Sequence, residues 1–297
     1  MKVFSLHTLL FIVVLFCSVG LTLAQDAPEV DPPTTVVYSE VEGQELVLDV
    51  YQPAPSTGDA PYPAVILIHG GGGSFGDRSD LADQAQGLAD AGYVAFNIEY
   101  RLVSSNASNT WPAQLEDSQL AVRWVRANAA QYGVDPDRIC SLGHSSGGQL
   151  ASLLGMRDTP TDSELTLGEY SSRVACVVNI AGTADAAIPD LDPSFQPFVT
   201  DLMGGTASEV PELYRDASPL AQVDGDTVPF LVFHGTDDQS TSVEQSRSLV
   251  DALHAAGVEV VYVEYPHADH FSWLEWDVVA PETLAFLGRH LAAPPAK

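Results

Sequence analysis

Lysine is nearly missing from this chain. Lys2 and Lys297 are the only two in 297 residues, and Lys plus Arg reach 12 against 40 Asp and Glu. A surface with a formal net charge of −28 repels nucleic acid and anionic membranes, so neither is an expected partner. It also keeps a protein dispersed in salt, where self-repulsion is screened, which suits a saline habitat or simply an acidic exported protein. Cysteine is scarce too, with Cys17, Cys140 and Cys176 alone, so no disulfide framework holds the fold. Cys140 and Cys176 lie in apolar runs and read as two buried thiols, with one disulfide formed after export as the alternative. No GK[ST] follows a glycine-rich turn, which argues against a nucleotide phosphate loop.

Long apolar runs are confined to the N-terminus. There "LLFIVVLFCSVGLTLA" follows Lys2 and ends on small residues at Ala24. The pattern is that of an export signal over residues 1–24, too short for a preferred membrane anchor. Bulky Phe16 before Cys17 argues against a lipoprotein site. Lys2 is the one charge in this stretch, so the cut chain would carry 11 basic residues against 40 acidic ones, a net of −29. Secretion or a periplasmic location follows as the expectation, with no stable membrane association after cleavage. Residues 25–35 form a proline-rich extended leader, and residues 36–297 read as one domain.

Within that domain, strand-like runs alternate with helical ones. "TTVVYSEV" and "ELVLDVYQ" alternate apolar with polar residues, as antiparallel edge strands do. "AVILIH", "YVAFNIEY", "RICSL", "VACVVNIAG", "PFLVFH" and "VEVVYVEY" are nearly continuous apolar segments, the mark of buried parallel strands. Between them, "PAQLEDSQLAVRWVRANAAQYG" carries a stripe of Leu120, Ala121, Trp124, Val125 and Ala129, and "VEQSRSLVDALHAAG" stops at Gly257. The expected fold is α/β: a mostly parallel eight-stranded sheet with helices on both faces. Residues 183–228 are too irregular for that core and are expected to form a small cap over one end of the sheet.

The chemistry centres on "CSLGHSSGG". A strand that turns at once into a helix strains the residue at the apex, and side chains two before and two after it would collide with neighbouring structure. Ser145 has Gly143 and Gly147 at that spacing; Ser146 has His144 two before it. Ser145 is therefore the expected nucleophile, with Ser146 giving its backbone N–H. "HGGGG", His69 to Gly73, follows another buried strand and can aim N–H groups at an oxyanion. Asp237 and Asp238 end the next-to-last strand, with one of the pair expected to cap the following helix. His267 and His270 end the last strand. His69 reads as structural, His144 as a flank of the elbow, and His254 and His290 as too far away. Serine, acid and base thus appear in that order, each after a strand.

These segments, with "NIEYRL" and "HADHF", resemble the esterase/lipase branch of the α/β-hydrolase fold, and most closely its BD-FAE carboxylesterase group, from about Val36 onward. The resemblance implies Ser145 as nucleophile, Asp238 as acid and His270 as base, with oxyanion donors at Gly71, Gly72 and Ser146. It implies no cofactor and no metal. Two departures stand out: Ser74-Phe75 follow one glycine later than the usual aromatic, and the acid loop lacks the usual proline.

The reaction expected is hydrolysis of small carboxylic esters, short-chain or aromatic. The cap's Phe195, Phe198, Leu202, Met203 and Tyr214, with Trp273, would wall a small pocket. An amidase, arylformamidase or peptidase would use the same three residues. A non-catalytic binding module would keep the fold and lose part of the triad.

Overall fold

The computed structural model describes residues 32–58, 60–103, 108–158, 167–187, 196–271 and 274–293. The expected signal, residues 1–24, lies outside them.

Eight strands form one sheet: β1 (Thr34–Val41), β2 (Gln44–Tyr51), β3 (Tyr62–Ile68), β4 (Val94–Ile98), β5 (Val134–His144), β6 (Cys176–Ile180), β7 (Phe230–Gly235) and β8 (Val260–Tyr265). Their order across the sheet is β1-β2-β4-β3-β5-β6-β7-β8. The β1–β2 and β2–β4 pairs are antiparallel and all others parallel. Strand pairing begins at Thr34, opposite Val50, inside the stretch read as leader.

The helices are α1 (Ala82–Asp90), α2 (Ala113–Ala127), α3 (Ala129–Tyr132), α4 (Ser146–Met156), α5 (Gln196–Met203), α6 (Pro211–Ala217), α7 (Val243–Ala255) and α8 (Trp276–His290). The continuous apolar strands have two faces to bury. Ala64, Ile66 and Ile68 of β3 join a core with Leu150 and Leu154 of α4, Val122 and Val125 of α2, and Leu249 and Leu253 of α7. Val65 and Leu67 point the other way, to Leu88 of α1 and Phe286 and Leu287 of α8. Period-two alternation on β3 thus sorts its side chains between two helical layers.

Three expectations are corrected. β8 is half-buried at all six residues because it is the sheet's outer strand. β2 is internal, and β1 alone forms the opposite edge. The long helix after Pro112 breaks at Asn128, whose side-chain amide donates to the Trp124 carbonyl (2.8 Å) and so ends α2. Its buried face is turned one residue from the expected stripe: Leu115, Ser118, Ala121, Val122 and Val125 are buried, while Leu120 and Trp124 are half-exposed.

Cys140 and Cys176 are free thiols on adjacent strands, in register across the β5–β6 pair, and both are buried. Among the described residues no helix is long and apolar enough to cross a membrane.

Candidate active site

β5 ends at His144 and α4 begins at Ser146, so Ser145 is the sole residue of the turn. Its backbone sits at φ 57°, ψ −124°, a strained region for a residue with a Cβ. The turn is tight enough that a Cβ on Gly143 would strike the Gly147 carbonyl, and one on Gly147 would strike the Ile68 carbonyl. Ser145 N donates to the Ile180 carbonyl at the end of β6 (2.9 Å). The N-terminus of α4 therefore abuts the Ser145 side chain, where its dipole favours negative charge.

The glycine loop follows β3. The N–H groups of Ser74 and Phe75 both donate to the Gly71 carbonyl (3.0 and 3.1 Å), curling the chain around it. Gly71 holds φ 111°, and a Cβ there would strike the Phe75 carbonyl. Among the described residues no backbone acceptor takes the N–H of Gly71 or Gly72. Beneath the loop, the buried Tyr100 hydroxyl donates toward the carbonyls of His69 (3.1 Å) and Gly70 (3.3 Å). His69 stacks on the Tyr100 ring at 4.3 Å. The hydroxyl's bonds hold the His69 and Gly70 carbonyls in the interior and anchor the start of the loop. Tyr100 stands inside "NIEYRL", yet nothing in that run marks it as the support of a loop thirty residues earlier.

Asp238 follows β7, and His270 follows β8. His270 Nδ1 lies 2.6 Å from Asp238 Oδ2. The other oxygen, Oδ1, accepts from the N–H groups of Ser240 and Thr241 (both 2.8 Å). His234 Nε2 stands 3.3 Å from Asp238 Oδ2 while bonding the Thr241 carbonyl (2.8 Å). Burial opposes ionisation of Asp238, but the hydrogen bonds and charge of these partners outweigh it and hold its carboxyl far below the usual range.

The second aspartate of "DD" and the second histidine of "HADH" thus meet in the interior, and the first of each meet outside. His267 Nδ1 lies 3.5 Å from Asp237 Oδ2, with both side chains exposed. Asp237 does not cap the next helix, and neither does Asp238. Ser242 takes that place, its side chain accepting from Glu244 N.

Ser145, Ser146, His270, Gly71 and Gly72 line one cavity of about 450 Å³. Phe75, Phe198, Val199, Leu202, Met203, Phe271 and Leu274 supply its apolar wall. Phe198, expected in a pocket wall, is among the residues that line this cavity. Phe195 and Trp273 lie outside the described residues. Tyr214 does not line the cavity; it is buried within the cap, with its hydroxyl donating to the Gly205 carbonyl (3.1 Å). The cap is fastened to the body. Asp216 accepts from Trp111 Nε1 (2.8 Å) and Arg157 Nη1 (2.5 Å), and Gln149 Nε2 donates to the Ala217 carbonyl (2.7 Å). Among the described residues no group of three or more His, Cys, Asp or Glu converges to hold a metal ion.

His144, read as a mere flank, is buried and in contact with the His270 loop: its Nε2 lies 3.0 Å from the His270 carbonyl oxygen. Burial first, and the neighbouring His270 next, pull its pKa down to about 3.

The parallel sheet, the strained strand-to-helix turn and the site at the carboxyl ends of β5, β7 and β8 define an α/β-hydrolase. More narrowly, the chain belongs to the BD-FAE family, whose model matches residues 48–253. It is 34% identical over 244 residues to a probable carboxylic ester hydrolase, LipM, of Mycobacterium tuberculosis, covering 79% of this chain and 55% of that one. It is 33% identical over 242 residues to the esterase LipC of the same organism, covering 79% and 58%. The chain spans little more than half the length of these two relatives. A solved structure of Thermogutta terrifontis esterase 2, phosphorylated by paraoxon, superposes with a TM-score of 0.75 at 25% identity, over 90% of this chain and 98% of that one.

Proposed function

We propose that this protein is an exported serine carboxylesterase that hydrolyses small carboxylic esters through Ser145, His270 and Asp238. The observation that supports the reading most is the convergence of Ser145 and His270 on one apolar cavity, with Asp238 on the second nitrogen of the same imidazole.

In this reading Asp238 holds the His270 Nδ1–H, which leaves Nε2 as the acceptor. Nε2 takes the proton as Ser145 Oγ attacks the ester carbonyl. The carbonyl oxygen becomes an oxyanion and accepts from the N–H groups of Gly71, Gly72 and Ser146, at the positive end of α4. The intermediate collapses, His270 returns the proton to the departing alcohol, and the acyl group stays on Ser145. Water then attacks the acyl-enzyme by the same route in reverse, releasing the acid.

The cavity volume and its fastened cap favour short acyl or small aromatic esters dissolved in water over long-chain lipids at an interface. Hydrolysis rates on p-nitrophenyl esters from acetate upward, with matched amides in parallel, test the proposal. Rates should fall as the acyl chain lengthens, and amides should be poor substrates. Best activity on long-chain esters above their solubility limit, or preference for amides, would overturn it. Export rests on the sequence of residues 1–24; a processed chain recovered outside the cytoplasm should begin at Gln25.

A further inference from the structure

His270 and Asp238 stand on the loops after neighbouring strands, so the bond between them fixes how the imidazole is turned. It does not fix how far the His270 loop stands from the elbow on β5. Asp237 N ties that loop to the end of β7 through the Ala268 carbonyl (2.9 Å), which leaves a direct link to the elbow to a group that reaches across. His144, the last residue of β5, does so, with its Nε2 at 3.0 Å from the His270 carbonyl oxygen. We infer that His144 is a positioning residue for His270, holding the His270 backbone at a fixed height beside Ser145. The inference rests on the triad proposed above.

Three observations carry it. A carbonyl only accepts, so the His144 proton is on Nε2 and its Nδ1 is bare, next to Gly70. The ring packs at 4.6 Å from the His270 ring and 5.6 Å from that of Phe271, filling the space between elbow and loop. The groups whose charges act on it are His270, His234 and Asp238; burial and the two histidines keep it neutral at working pH against the opposing pull of the Asp238 carboxylate. A neutral donor suits the place: it holds the loop without adding a positive charge beside the imidazolium that forms on His270 in each proton transfer. A lysine or arginine would hold the loop and oppose that cation.

The test uses three variants of the full chain, with kcat and KM measured on a soluble p-nitrophenyl ester alongside thermal midpoints. H144F keeps the ring and loses the donor. Its kcat should fall about 10²-fold, the scale of a small misplacement of a catalytic group, with KM little changed. H144Q, whose amide N–H reaches about as far as Nε2, should recover most of that loss. H144N, whose amide is one carbon shorter, should not. Equal kcat in H144F and the parent, or equal losses in H144F and H144Q, would overturn the inference. Should H144F fail to fold, the contrast of H144Q with H144N decides, and equal rates count against it. S145A separates the two levels: turnover surviving in S145A sinks the proposed triad, whereas a dead S145A beside a fully active H144F sinks this inference alone.

Discussion

Gly143 and Gly147 face each other so closely across the elbow that a Cβ on the first would overlap the carbonyl oxygen of the second. The sharp turn exists because neither residue has a side chain. G143A and G147A should each destabilise the fold by about 3 kcal/mol, the upper range for forcing atoms into filled space. The check is a denaturant titration of each variant. Ser145 itself holds a backbone that glycine tolerates better. Relief of about 1–3 kcal/mol of strain, less roughly 1 kcal/mol for glycine's extra freedom when unfolded, should make S145G slightly more stable than the parent while abolishing turnover. A less stable S145G would show that the turn is not strained.

The two acid–histidine pairs differ in burial, and their variants should differ accordingly. D238N and H270A should each lower kcat by roughly 10⁴-fold. D237N and H267A remove an exposed pair at 3.5 Å and should cost little in rate or stability. Steady-state kinetics on one soluble ester ranks all four, and the reverse order would move the triad to the surface pair.

Asp238 also ties stability to pH. Its carboxyl is held below the ordinary range in the folded protein, so the folded state favours the ionised form. That contribution is fully present above the unfolded carboxylate value of about 4 and is lost as pH falls through the lower folded value. Thermal midpoints measured downward from pH 5 should therefore drop more steeply for the parent than for D238N. Parallel curves would mean that Asp238 does not contribute to the acid limb.

Salt should stabilise the protein. Arg78, Arg101, Arg157 and Arg247 already lie on carboxylates, so the 12 basic residues leave most of the 40 acidic ones without a cation. Screening of that excess should raise the thermal midpoint as sodium chloride is added. A flat or falling midpoint would remove the reading of the surface as salt-adapted.

Much of this was legible because each step obeyed a local rule. Continuous apolar runs such as "AVILIH" announced buried parallel strands, and glycines at two before and two after Ser145 announced the elbow. What stayed hidden depends on three-dimensional neighbours. β8 has the composition of an inner strand but ends the sheet, so its residues are half-exposed. Asn128 breaks a helix whose apolar pattern runs on past it. Tyr100 and His144 act through backbone carbonyls far along the chain, and a carbonyl leaves no trace in a sequence. Choosing Asp238 over Asp237 as the expected acid needed the family's spacing; in the structure Asp238 is the buried one of the pair, 2.6 Å from His270 Nδ1.

The central claim is that Ser145 is the nucleophile, and a fluorophosphonate probe tests it most directly. Peptide mapping after reaction should find the phosphonyl group on Ser145, with esterase activity lost in step with labelling. S146A should label and turn over nearly as the parent does, since it keeps the backbone N–H, while S145A should do neither. A label on Ser146 with Ser145 unmodified, or ester hydrolysis persisting in S145A, would contradict the account.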